Sequence, residues 1–194
     1  MPPLLPFRRT RNAASKFEDL LRPHVEYLYR LAWRFTGNMA DAEDLVQDVL
    51  LKLYPRAQEL FNIGQLRPWL AKVLYHQYID SVRQRARTPI ADPTNNTDGD
   101  DDPFDGLPAI QESPEERAER GQLHERILRA LDQLNPNQRA VVAMHDIEGY
   151  SLEELETILE TPIGTLKSRL HRARDRLRQL LGMKPFPAGK RVRE

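Results

Sequence analysis

The residues best suited to chemistry lie on one side of a basic stretch near the C-terminus. Across residues 161–181, Lys167, Ser168, His171 and Arg172 share a helical face, with Thr165, Arg169 and Arg176 at its edges. No acidic residue interrupts this face before Asp175. Cationic heads beside hydroxyl and imidazole groups can bond phosphates and the edges of bases in a major groove. The plain alternative for such a segment is a solvated basic helix.

A second group is aromatic and basic. In residues 66–87, Arg67, Lys72, Arg83, Arg85 and Arg87 are interleaved with Trp69, Tyr75 and Tyr78. Rings that stack on bases beside cations that track phosphates are what a single-strand binder needs. The alternative is core packing, which is the usual role of a helical Trp and is preferred for Trp69. A third group is acidic: Asp41, Asp44 and Asp48, with Glu43, Gln47 and an apolar Leu51 among them. Capping and surface roles explain these carboxylates more simply than acid–base catalysis.

Other chemistry is excluded by pattern. The 5 histidines (His24, His76, His124, His145, His171) form no metal-binding pair at helical spacing, and there is no cysteine. A glycine-rich phosphate loop and a nucleophile elbow are also missing. The residues therefore predict no enzyme, no catalytic group, no metal and no cofactor.

The elements that position these groups are helical throughout. In the basic segment, Leu166, Leu170, Ala173, Leu177 and Leu180 recur at three- and four-residue steps and make one apolar stripe. Thr161-Pro162 reads as its start, with the hydroxyl as cap and proline at the first helical position. Just before it, Ser151-Leu-Glu-Glu154 is a capping box, with Tyr150 and Leu155 placed as a hydrophobic staple. A short helix over 152–159, a tight turn at Glu160-Thr161 and a basic second helix make a helix-turn-helix. Upstream, Ser113-Pro-Glu-Glu116 opens a helix through Leu134 whose inner face is Leu123, Ile127, Leu131 and Leu134. Asn135-Pro136 then starts another over residues 137–147, with Gly149 as its stop.

In the first half, residues 17–35 carry Leu21, Val25, Leu28, Ala32 and Phe35 on one face, with Gly37 as a stop. Pro23 leaves open a division into two helices. Asp41 caps a helix running to Tyr54 that buries Leu45, Val46, Val49, Leu50 and Leu53 and turns Asp44, Gln47, Asp48 and Leu51 outward. The helix over 66–87 is apolar on more than one side: Trp69, Leu70, Val73, Leu74 and Tyr78 form a core face, while Tyr75, Ile79 and Val82 lie elsewhere.

The formal net charge is zero over 194 residues, but the charge is segregated. Charged residues from Ala91 to Glu116 are all acidic, and beyond Ile163 only Asp175 and Glu194 are. Local potential, more than the total, decides which surface meets a polyanion. The acidic stretch lacks periodicity and reads as a flexible linker. The resulting prediction is an all-α chain of two small helical domains joined by that linker: a flexible basic arm over 1–16, a first domain over 17–90, the linker over 91–112, a helix-turn-helix domain over 113–182 and a basic tail over 183–194. No apolar run approaches the roughly 20 residues a bilayer requires, and the N-terminus lacks the order of a secretory signal. A cytoplasmic protein without membrane insertion is expected.

At this point the pattern resembles a family. GYSLEELETILETPIGTLKSRLHRARDRL is similar to the promoter-reading C-terminal region of bacterial sigma factors of the extracytoplasmic-function group. The likeness extends over Phe17 to Arg87 and Ser113 to Leu181. It implies a factor that directs RNA polymerase core to promoters, reading the −35 element as duplex and the −10 element as melted single strand. By the same resemblance, Thr165, Lys167, Ser168, Arg169, His171 and Arg172 meet the −35 element. Trp69, Lys72, Tyr75, His76, Ile79, Asp80 and Arg83 meet the −10 element. Asp41, Asp44, Gln47, Asp48 and Leu51 dock on the clamp helices of the largest polymerase subunit. The polymerase flap, promoter DNA and an anti-sigma factor are the further implied partners, and the linker is implied to thread the RNA channel. Three residues depart from the family pattern. Glu156 stands where a small residue is usual, Glu160 where the turn has glycine, and His76 where asparagine is common. The residues alone also fit a helix-turn-helix regulator with an unrelated sensor domain, or a helical adaptor that binds no DNA. The first domain argues against the former, and the basic front of 167–172 against the latter.

Overall fold

A computed structural model describes residues 8–87 and 114–182, and every regular element in them is helical. The chain divides into two compact units, Met1–Asn96 and Thr97–Glu194.

The first unit packs three long helices against one another: α1 (Arg8–Thr36), α2 (Met39–Leu53) and α4 (Leu66–Arg87). A 3-10 turn (Tyr54–Arg56) and the short α3 (Ala57–Leu60) connect the last two. Leu21, Leu28, Leu31 and Phe35 of α1, Val46 and Val49 of α2, and Leu70 and Leu74 of α4 are all buried and make up the core of this unit. Phe35 stacks on Tyr78 with ring centroids 5.1 Å apart and meets Tyr75 edge-on at 6.5 Å. These contacts explain why α1 runs unbroken through Pro23. The proline removes one backbone bond, but buried side chains on both flanks hold the axis in place. The helix also takes in residues 8–16, in place of the flexible basic arm expected there; residues 1–7 lie outside the described ones.

Gly37 ends α1 at φ +83°, its N–H reaching the Trp33 carbonyl at 2.7 Å. The cap of α2 is Asn38 rather than Asp41. The Asn38 side chain accepts from the Asp41 N–H, and the cap and start of helix α2 lie three residues earlier than expected. Asparagine wins because its side chain, three residues before that N–H, has the reach of a cap.

The second unit comprises α5 (Pro114–Asp132), α6 (Pro136–Val142), α7 (Leu152–Leu159) and α8 (Ile163–Leu180). α8 packs on α5, α6 and α7, and Leu166, Leu170 and Ala173 carry its buried stripe. Farther on the stripe comes to the surface, with Leu180 exposed. Of the inner face expected for this helix, Leu131 on α5 and Leu134 just beyond it are buried, while Leu123 and Ile127 are exposed.

Asn135 and Gln138 form a reciprocal capping box with Pro136 at the first position of α6. After Val142 the helix widens into a π turn, Ala143–Ile147. The turn lets the Tyr150 N–H reach the Met144 carbonyl at 3.0 Å and the His145 Nδ1–H reach the Tyr150 carbonyl at 2.6 Å. Buried Arg139 is held by Asp132 at 2.5 Å. The expected linker over 91–112, the Ser113 cap and the 183–194 tail lie outside the described residues. No described helix is long and apolar enough to cross a membrane.

Candidate nucleic-acid and polymerase interfaces

The helix-turn-helix is built from the capping box upward. Ser151 accepts from the Glu154 N–H at 3.1 Å, and Glu154 returns the bond to the Ser151 N–H at 2.8 Å. Tyr150 and Leu155 are both buried beneath it, as a staple requires. α7 ends at Glu160, whose φ of 49° and ψ of 42° make it left-handed. It is the one non-glycine residue with positive φ among those described.

The expected Thr161 cap is not what starts α8. Thr161 is buried, and its hydroxyl donates backward to the Leu159 carbonyl at 3.0 Å. Pro162 occupies the cap position without a side-chain bond. The free Ile163 N–H is instead taken by the Glu156 carboxylate, at 3.0 Å, from the preceding helix.

On α8, Thr165, Lys167, Ser168, His171 and Arg172 are exposed and Arg169 is half-buried. Arg172 lies back along the helix, its Nε donating to the Ser168 carbonyl at 3.2 Å. The Ser168 hydroxyl donates to the Thr165 carbonyl at 2.9 Å. These are weak local bonds that a base edge or phosphate can replace. His171 lies 3.2 Å from Asp175, which Arg178 also holds at 2.8 Å. The one acid on this helix is thus shared between two basic groups, and the front half stays cationic. Arg174 anchors α8 to the π turn through Asp146, its Nε donating at 3.0 Å, and the carboxylate raises the guanidinium above its ordinary pKa.

α4 carries an outward stripe. Trp69, Lys72, His76, Asp80 and Arg83 follow one another at steps of three and four residues and are all at least partly exposed. Tyr75 and Ile79 belong to the neighbouring stripe, and this corrects the expected stacking platform. Both are buried, at 6% and 8% exposure, with Tyr75 against Phe35. The helix is apolar on more than one side because α1 and α2 both cover it. Asp80 and Arg83 are loosely paired at 3.9 Å. Trp69 is partly exposed, neither fully core nor free-standing.

On α2, Asp44, Gln47, Asp48 and Leu51 face outward, and Leu51 is 71% exposed. Asp41 is half-buried and engaged with α4: Arg85 grips it through two bonds of 2.9 and 2.5 Å. That bond, aided by Asn38 and opposed by burial, holds the Asp41 carboxyl below the usual aspartate range. Asp48 accepts from the Gln77 amide at 3.0 Å, and Gln77 in turn accepts from Lys52. The links from Asp41 to Arg85 and among Asp48, Gln77 and Lys52 have no local sequence signal, since those partners are far apart in the chain. Among the described residues, no group of three or more His, Cys, Asp or Glu is placed to hold a metal ion.

Comparison with known proteins matches residues 20–88 to sigma-70 region 2 and residues 124–177 to sigma-70 region 4. The chain is 34% identical over 169 residues to the ECF RNA polymerase sigma factor SigE of Mycolicibacterium smegmatis, covering 87% of this chain but 63% of that longer protein. It is 34% identical over 178 residues to SigL of Mycobacterium tuberculosis, covering 89% of this chain and 95% of the relative. Among solved structures, the sigma factor RpoE of Bartonella quintana, in complex with the anti-sigma factor NepR, aligns with a TM-score of 0.64 at 27% identity, covering 87% of this chain and 98% of that one.

Proposed function

The chain belongs to the extracytoplasmic-function sigma factors of bacterial RNA polymerase, and from that premise we propose how its residues divide the work. It directs the polymerase core to promoters and is not itself an enzyme; bond formation belongs to the polymerase. The first unit, over residues 17–90, docks on the clamp helices of the largest subunit through the outward side of α2. Asp44, Gln47 and Leu51 lead this contact, because Asp41 and Asp48 are already engaged with α4. The stripe of Trp69, Lys72, His76, Asp80 and Arg83 takes the melted −10 strand. Tyr75 and Ile79 support that stripe from beneath.

The second unit, over residues 113–182, reads the −35 duplex with Ser168, His171 and Arg172, while Thr165, Lys167 and Arg169 meet phosphates and groove edges. It also meets the polymerase flap. The likeness to a sigma factor solved with its anti-sigma factor supports a similar partner here. The site of action is the cytoplasm, where core polymerase works.

The observation that carries this reading is the presence of both regions in one chain. A regulator with an unrelated sensor would not carry region 2 over residues 20–88. Run-off transcription on genomic DNA with purified core polymerase tests it. Discrete new transcripts are expected only when the protein is added, and a transcript pattern identical with and without it would refute the reading.

A further inference from the structure

One residue organises the whole turn between the two helices of the DNA-reading motif. The Glu156 carbonyl accepts from the N–H of Glu160 and, at 3.3 Å, from that of Thr161. Its carboxylate crosses to the first residue of α8 and accepts from the Ile163 N–H at 3.0 Å. Among the described residues no other side chain caps α8, since Pro162 has nothing to offer and Thr161 is turned backward into the interior. The turn itself carries a cost at Glu160, a left-handed position where every side chain but hydrogen crowds the backbone.

We propose that Glu156 is a positioning residue for promoter reading: by tying α7 to the first amide of α8 it holds the left-handed turn and sets the angle at which Ser168, His171 and Arg172 enter the groove. The inference rests on α8 being the −35 reader. The chemistry is specific to these residues. A carboxylate is both a hydrogen-bond acceptor and a negative charge at the positive end of a helix, and each favours the cap. Glu156 is exposed and contributes nothing to the core, so its removal changes the turn rather than the fold. Because Glu156 holds the turn that Glu160 strains, their effects must be coupled. Glycine at 160 would make the left-handed turn without strain, and the cap would then matter less.

The test uses the full chain with core polymerase. The probe is a duplex enriched from a random-sequence pool by the parent holoenzyme, together with single-base variants of its upstream element. Glu156→Ala should reduce discrimination between the enriched duplex and its variants by about tenfold, the ratio that ~1.4 kcal/mol produces, with helical content unchanged. Glu156→Gln retains an acceptor oxygen and should keep most of the discrimination. In a Glu160→Gly background, Glu156→Ala should cost markedly less, a non-additivity expected only of residues that share one structure. Parent-like discrimination by Glu156→Ala, or an equal loss in both backgrounds, would overturn the proposal. Arg172→Ala separates the two levels of inference. If it abolishes discrimination and Glu156→Ala does not, only the positioning role fails. If neither variant matters, α8 is not the reader and both readings fall.

Discussion

Glu160 occupies a backbone region where glycine stands without strain and other residues incur roughly 1–2 kcal/mol. Glu160→Gly should therefore stabilise the second unit by about 1 kcal/mol, less the added entropy of glycine in the unfolded chain. Urea denaturation of the full chain, followed by helicity, would show a higher midpoint for the transition of that unit. A midpoint equal to or below the parent's would mean that the turn is not strained. At the same scale, the reading face separates sequence information from bulk attraction. Arg172→Ala should lose roughly 1–3 kcal/mol of binding and relax preference at one or two base positions. Lys167→Ala should weaken all sequences alike and flatten the salt dependence of binding. The same change in preference from both variants would contradict this division. The resemblance, not the spacing, pointed to this turn, because the family has glycine where Glu160 stands, and Glu160 adopts the left-handed conformation despite its side chain. The Glu156 cap was not foreseeable, since a side chain reaching seven residues forward across a turn leaves no periodic trace.

Between elements, the decisive feature is how α4 is tied to α2. Periodicity located both helices closely because their apolar steps match the 3.6-residue turn over many residues. It could not say which flank of α4 is covered, because Tyr75 and Ile79 look as suitable for bases as for core until α1 supplies Phe35. Nor could it pair Asp41 with Arg85, whose separation of 44 residues carries no local signal. Asp41 has its pKa lowered, chiefly by the bond from Arg85, with burial opposing and Asn38 assisting. The ionised form is thus the one the fold favours. Its contribution is fully present above the unfolded aspartate pKa and is lost as pH falls through the lowered folded value. Arg85 is 62% exposed at its side chain, so screening limits the gain to below about 1 kcal/mol. Asp41→Asn should lower the urea midpoint slightly at neutral pH and should lack that part of the parent's decline in acid. Identical pH profiles for the two proteins would show that the pair contributes nothing. Asp44, which faces outward, gives the complementary expectation. Asp44→Lys should abolish pull-down of core polymerase with helicity unchanged, and surviving pull-down would place the interface elsewhere.

Over the whole chain, the formal charge of zero conceals a separation that governs its dealings with polyanions. The basic face of α8 and the end of α4 project arginines, whereas residues 91–116 carry carboxylates and no positive charge. The helical, two-part architecture was legible because each unit has its own periodic apolar set and the stretch between them has none. The acidic stretch lies outside the described residues, so its expected effect rests on charge alone. A tethered polyanion is held at high local concentration and competes with DNA for the same cations. Changing Asp98, Asp100, Asp101 and Asp102 to asparagine removes four of those charges. The free protein should then bind duplex fragments more tightly at low salt. The advantage should shrink as ionic strength rises and the screening length falls from about 30 Å at 0.01 M to about 8 Å at 0.15 M. Titrating a labelled duplex at several salt concentrations measures both effects at once. A salt-independent gain would point to a change in fold rather than in electrostatics, and no gain at the lowest salt would mean that the carboxylates do not reach the basic faces at all.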